Sequence, residues 1–282
     1  MTSSRSTRSR KFASGLTADP GTLHVRSEKL RQWLDANADR HNRTAFIEDD
    51  PIAVPHRFMR LQDIEIAGLF TSIMAWGQRP TIIRKANALM DLMDGTPYDF
   101  VRGHRPRDLN HFQDFCHRTL QPDDVLYLIH VLQDFYGRHD SLEEAFLAGI
   151  RPEDQTTEGG LNAFYRMVFE RPDVMERTRK HIPAPWRKSS CKRINMYLRW
   201  MVRHDDRGVD FGRWRNIRMD QLVVPLDVHV SRVARELGLL FRKQDDWRAA
   251  VELTEALKHY DPADPVRYDF ALFGAGVSRS VR

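Results

Sequence analysis

From residue 24 onward the apolar residues recur at spacings of three and four, and no stretch alternates apolar with polar residues convincingly enough to read as a strand. That period fits a helix of 3.6 residues per turn, so an all-α chain is expected. A first helix is read over 24–39, where Val25, Leu30, Trp33 and Leu34 stand among charges, and Asn37 to Arg43 supplies a polar exit. EDDPIAVPHRF, with Pro51 and Pro55, is expected to be an extended connector. Helical patterns follow in LQDIEIAGLFTSIMAW, PTIIRKANALMDLM, DLNHFQDFCHRTL, VLYLIHVLQDFYG, SLEEAFLAG and LNAFYRMVFE, with loops through Pro97 and over 149–160. Those patterns predict a helical lobe over 59–170.

The stretch 189–238 carries most of the chemistry. In SSCKRINMYLRWMVR, Ile194, Tyr197, Leu198 and Met201 form one stripe, and Lys192, Arg199 and Arg203 fall opposite it, which predicts a cationic outer face. In VPLDVHVSRVARELGL, Val230, Val233, Ala234 and Leu237 recur at i, i+3, i+4 and i+7, Gly238 follows as a C′ residue, and Asp227 precedes the run as an N-cap. An amine starting one helix and a carboxylate capping another would, if packed across a cleft, pair a nucleophile with a charge stabiliser. The polar loop between them, 204–222, carries VDFGRW as a short helix and sets Trp214, Arg213, Arg215 and Arg218 beside that cleft or on a solvated strip. Farther on, Asp245 or Asp246 should cap DDWRAAVELTEALKHY, and Asp264 with Pro265 should open the last helix.

A net charge of +5 and a pI near 9.3 favour an anionic partner, although 39 acidic residues stand among 44 basic ones and patches must carry the bias. The tail, 1–22, holds Arg5, Arg8, Arg10 and Lys11, and reads either as plain disorder or as an arm adding nonspecific DNA affinity. No apolar run approaches membrane-spanning length. Two cysteines, Cys116 and Cys191, without paired spacing imply a reducing compartment and neither a disulfide framework nor a zinc site.

CKRINMYLRWMV followed by VPLDVHVSRVARELGL resembles the paired segments of the helix-hairpin-helix DNA glycosylase superfamily, which includes endonuclease III, adenine glycosylase and the 8-oxoguanine glycosylases. The likeness is strongest over 186–276, and the long loop before Asp227 is most similar to the archaeal 8-oxoguanine type. The chain also resembles an uncharacterised bacterial family, a domain of unknown function distantly related to that superfamily. The resemblance implies a two-lobed fold with a DNA cleft, 23–58 and 171–282 forming the catalytic lobe and 59–170 the second. Lys192 and Asp227 would be the catalytic pair, flanked by His229 and Arg232. HIPAPWRKSSCKR would hold the hairpin; both glycines of the usual leucine-proline-glycine-x-glycine turn are missing, and Lys188, Ser189, Ser190 and Arg193 stand there to meet DNA.

In AWGQRP, Trp76, Gln78 and Arg79 would reach the duplex, with Trp76 as a core aromatic for alternative. The resemblance also puts Met74 where endonuclease III and the archaeal 8-oxoguanine glycosylases carry a glutamine, and implies Asp269, Phe270 and Phe273 as further candidates for the base pocket, the two phenylalanines also suiting a core. The four-cysteine iron–sulfur cluster of endonuclease III has no ligands here. The activity implied is excision of a damaged base, 8-oxoguanine being one candidate, from double-stranded DNA by a monomer in the bacterial cytoplasm. Lys192 would attack C1′, its pKa lowered by neighbours such as Arg193 and by desolvation, and no metal or cofactor is implied. Two other readings stay open: a non-catalytic DNA-binding module on the same scaffold, and a metal-dependent phosphohydrolase of the HD type built on His204 and Asp205.

Overall fold

Among the described residues, 20–280 in this computed structural model, regular structure is helical, and a bridge between His117 and Leu120 is the β pairing found. The segment with Arg5, Arg8, Arg10 and Lys11 lies outside them. Eleven α-helices follow in order among the described residues: α1 Pro20–His41, α2 Leu61–Met74, α3 Arg79–Leu92, α4 Pro97–Gly103, α5 Pro122–Tyr136, α6 Glu143–Leu147, α7 Glu158–Phe169, α8 Lys192–Val202, α9 Val228–Leu237, α10 Trp247–Lys258 and α11 Asp269–Ser280. Four local expectations need correction. The connector around Pro51 and Pro55 is wound into two short 3₁₀ turns, because Asp50 caps the first by accepting from the Ile52 amide at 3.1 Å. Pro97 opens a helix rather than a loop, since a proline at the first position forfeits no intrahelical bond. The run after Phe112 is not helical: Arg118 takes a left-handed backbone (φ 58°) that turns the chain back on itself. VDFGRW is irregular, its backbone amides at Phe211 and Trp214 donating to the last carbonyls of α8, at 2.8 and 2.9 Å.

α2 and α8, both buried along most of their length, pack on each other. Gly68 permits their approach, for a Cβ there would lie 3.0 Å from the Tyr197 ring, and the Tyr197 hydroxyl donates to the Glu65 carbonyl at 3.1 Å. Glu65 is fully buried on α2 with no cation beside it. Its carboxylate accepts instead from the Tyr136 hydroxyl (2.8 Å), the Trp214 indole (2.7 Å), the Leu142 amide (3.1 Å) and the Ser141 hydroxyl, while burial pushes its pKa up. One carboxylate therefore ties α2 to α5, to the start of α6 and to the loop after α8. This is also why Trp214 leaves the surface: it is core, and Arg213, Arg215 and Arg218 around it do not line the cleft.

Arg199 and Arg203 overturn the expectation of a cationic outer face on α8. They are 5% and 2% exposed, because the C-terminal segment closes over that side of the helix. Arg199 pairs with Asp210 (3.2 Å) and Asp269; Arg203 pairs with Asp210 (3.0 Å), Asp264 (2.9 Å) and Asp205 (2.8 Å). Both guanidinium groups also lie over the Phe270 ring, at 4.5 and 5.5 Å. Burial opposes both charges, and the ring of aspartates outweighs it. Asp264 consequently spends its side chain on Arg203 and makes no capping bond, and a 3₁₀ turn, Pro265–Tyr268, precedes α11.

The last helix packs between α1 and α9. Gly276 is needed where α9 crosses, since a Cβ there would meet the His229 Cβ at 2.9 Å. The buried apolar residues of all these helices form one connected core, so the segments 23–58, 59–170 and 171–282 share an interior. Among the described residues no helix is long and apolar enough to cross a membrane.

Candidate functional site

Between Pro185 and Lys192 the chain must reverse in a few residues, and it does so with left-handed backbone at Lys188 (φ 61°) and Cys191 (φ 54°). Glycine would take these angles freely; a lysine and a cysteine each bear about 1–2 kcal/mol to do so. The turn compensates locally. Ser189 accepts the Cys191 amide at 3.1 Å, and Asn195 of α8 donates to the Ser190 carbonyl at 3.1 Å. Cys191 is buried, and that burial pushes its thiol up to about 12.

The Ser190 hydroxyl donates to the Leu226 carbonyl at 3.1 Å, which fastens this turn to the segment that ends at Asp227. Lys192 is the first residue of α8, half-buried and without a hydrogen bond or ion pair among the described residues. Asp227 is the N-cap of α9, one carboxylate oxygen accepting the His229 amide at 2.9 Å and the Val230 amide at 3.0 Å. Gly238 ends that helix in the left-handed conformation (φ 74°), as its spacing predicted. The Ser190 bond thus links the segments that open α8 and α9, whose starts share one wall.

That wall belongs to a cavity of about 920 Å³. Lys192, Asp227, Ser190, Arg193 and His229 line it from the hairpin side, and Trp76, Gln78 and Arg79 line it from the corner between α2 and α3. Asp269 and Phe273 face it from α11. Ten of the residues picked out from the sequence therefore converge on one space.

The others do not. Met74 is fully buried in the core and spends its carbonyl on His117 at 3.0 Å. Phe270 lies beneath Arg199 and Arg203, not in the cavity. Arg232 reaches across to the Gly276 carbonyl at 2.9 Å and so joins α9 to α11. Lys188 and Ser189 shape the turn behind the lining, with Lys188 exposed.

The corner is well supported. Gly77 (φ 107°) leaves space that the Arg118 guanidinium fills, and that guanidinium lies 4.3 Å from the Trp76 ring centre. Trp76 is thus a partly exposed wall rather than core. Arg79 lies 4.8 Å from the Phe273 ring, closing the opposite side. Arg193, expected to act on Lys192 through its charge, donates to the Ile73 carbonyl (2.6 Å) and the Lys180 carbonyl (3.3 Å), and desolvation lowers its own pKa. It braces the end of α2 against α8.

Asp50 and Arg199 are among the cavity groups that sequence reasoning missed. Asp50 is 6% exposed, and burial pushes its carboxyl up against the Ile52 amide and the charges of Arg199, Arg79 and Lys192. An aspartate directly before a proline is an N-cap and N1 signal, and it stood unread in EDDPIA. Arg199 forms part of the floor, paired with Asp269. Burial raises Asp269 to about 6, with Arg199 opposing that rise and the nearby Asp227 carboxylate adding to it. His204 and Asp205 lie elsewhere; Asp205 accepts from Asn42 at 2.6 Å and pairs with Arg203. Among the described residues no group of three or more histidine, cysteine or acidic side chains is arranged to hold a metal.

A family model described as a protein of unknown function, DUF2400, matches residues 50–278. The chain belongs to that family. No curated protein and no solved structure matches it. The matched span starts at Asp50 and holds every lining residue named above; Phe46, which also lines the cavity, and α1 precede it.

Proposed function

We propose that this protein is a base-excision enzyme of DNA, a glycosylase with lyase activity, whose cavity receives a nucleotide turned out of the duplex. The observation that carries the reading is the convergence of Lys192 and Asp227 on one cavity through the Ser190–Leu226 bond. A volume of about 920 Å³ suits a nucleoside with its flanking phosphate, since ligand sites typically span roughly 300–1,000 Å³. Phe46, Trp76 and Phe273 supply apolar faces on which a base can lie.

In this mechanism the neutral amine of Lys192 attacks C1′ as the bond from C1′ to the base breaks, and the departing base takes that electron pair and a proton from solvent. Asp227 faces the positive charge that develops on the sugar, its side chain fixed in place by two helix amides. The N,O-acetal at C1′ then opens as the C1′–O4′ bond breaks and O4′ takes the proton released from the lysine nitrogen, giving a Schiff base, and loss of a C2′ proton expels the 3′ phosphate, cutting the strand. The amine is recovered on hydrolysis.

Borohydride trapping tests this. Duplexes carrying 8-oxoguanine, uracil, thymine glycol or an abasic site are incubated with the wild type, Lys192→Ala and Asp227→Asn, with chelator present throughout. A covalent adduct is expected with the wild type and none with Lys192→Ala. An undiminished adduct in Lys192→Ala would overturn the assignment, and binding without adduct or base release would make the protein a DNA-binding module.

A further inference from the structure

The cavity distributes its open hydrogen-bonding capacity unevenly. Arg199 and Arg193 contribute walls but little donation, because Arg199 is committed to Asp210 and Asp269 and Arg193 to two backbone carbonyls. Two carboxylates are in the opposite condition. Asp50 is 94% buried by its 6% exposure; one of its oxygens accepts the Ile52 amide, and the other has no donor among the described residues. Asp269 is likewise buried, with one oxygen engaged by Arg199 and no donor on the second. Both line the cavity. Neither free oxygen is shut off from the cavity, so each is presented to what binds there, and a ligand that donates a hydrogen to a charged acceptor is favoured.

The position of Asp50 is fixed more firmly than a surface aspartate's. It is an N-cap, its χ angles held by the Ile52 amide, and Pro51 stiffens the backbone just after it. Asp50 lines the cavity together with Arg199, Arg79 and Lys192, whose positive charges oppose the upward push that burial gives its carboxyl.

We propose that Asp50 is a specificity-determining residue, a carboxylate that reads two adjacent N–H donors on the edge of the bound base, one with its free oxygen and one with the second lone pair of the oxygen that accepts the Ile52 amide. This rests on the reading of the cavity as a base-excision site. Guanine and its oxidised forms carry such an edge, a ring N1–H beside a 2-amino group. Uracil and thymine set their N3–H between two carbonyls, and adenine sets its amino group beside an acceptor nitrogen; against those edges a carboxylate meets a lone pair and repels it. An ionised aspartate only accepts, so it separates these classes by charge and not by size.

The experiment compares two rates with the full chain: base release from duplexes carrying 8-oxoguanine or 8-oxohypoxanthine, which lacks the 2-amino group, and borohydride trapping on an abasic duplex, which has no base to read. The wild type is expected to release 8-oxoguanine about 10- to 100-fold faster than 8-oxohypoxanthine, the value of one charged hydrogen bond. In Asp50→Asn, where the amide can still cap Ile52 and puts an N–H towards the base, that preference is expected to vanish. The ratio of 8-oxoguanine release to abasic trapping should fall about tenfold or more. Equal release of the two lesions by the wild type, or an unchanged preference in Asp50→Asn, overturns the role of Asp50 while leaving the activity standing. If the variant fails to fold, the wild-type comparison of the two lesions decides alone. Neither trapping nor base release with the wild type overturns the activity and the inference together.

Discussion

Replacing Asp227 by alanine and by asparagine separates two things this one side chain does. As an N-cap it satisfies the His229 and Val230 amides, at 2.9 and 3.0 Å. Alanine satisfies neither, and such a loss costs about 1 kcal/mol, up to about 2. Asparagine is as good a cap as aspartate, so it should cost only a few tenths of that. The charge is a separate matter. A carboxylate about 4 Å from a developing unit charge, at an effective dielectric near 20, contributes about 4 kcal/mol, which corresponds to roughly a thousandfold in rate. Thermal melts followed by circular dichroism, together with single-turnover base release, measure both. Asp227→Ala is expected to melt about 2–4 °C lower and to lose release. Asp227→Asn is expected to melt close to the wild type and still lose roughly 10²- to 10³-fold in release. Full release by Asp227→Asn would refute the electrostatic role; an equal fall in melting temperature for both variants would refute the cap.

Two further outcomes follow from the buried charges. Arg203→Met removes a cation that is 2% exposed and leaves Asp264, Asp205 and one side of Asp210 without their partner, so urea unfolding is expected to show a loss of about 3–5 kcal/mol. A loss under 1 kcal/mol would show the cluster to be solvated. Asp269, raised from 3.8 to about 6, binds its proton more tightly folded than unfolded, so its contribution to stability is greatest at acid pH and falls as the pH rises through about 4 to 6. Carboxyl NMR should show a resonance titrating near pH 6 that disappears in Asp269→Asn, and titration of every carboxyl below pH 5 would refute that placement.

Helical period and cap chemistry are local properties, and they were legible without coordinates. The pattern of Val230, Val233, Ala234 and Leu237 with Asp227 before and Gly238 after defined α9, because each signal depends on neighbours within a turn or two. The all-helical character followed from the same local rule. Lys192 and Asp227 could be picked out as one start and one cap, but their meeting could not, since the Ser190–Leu226 bond that joins them spans 36 residues.

Burial was the quantity that sequence periodicity misjudged. Arg199 and Arg203 sit opposite the apolar stripe of α8 and would face water on an isolated helix; only the return of the chain through Asp210, Asp264 and Asp269 makes that face an interior. For Trp214 the sequence offers a place beside the cleft or on a solvated strip, and neither holds, because Glu65, 149 residues earlier, accepts its indole within the core. Asp50 is the sharpest case. Its capping role was written beside Pro51, whereas its empty oxygen in a cavity with Lys192 depends on α2, α3, α8 and α11 converging, and no local rule carries information over those distances.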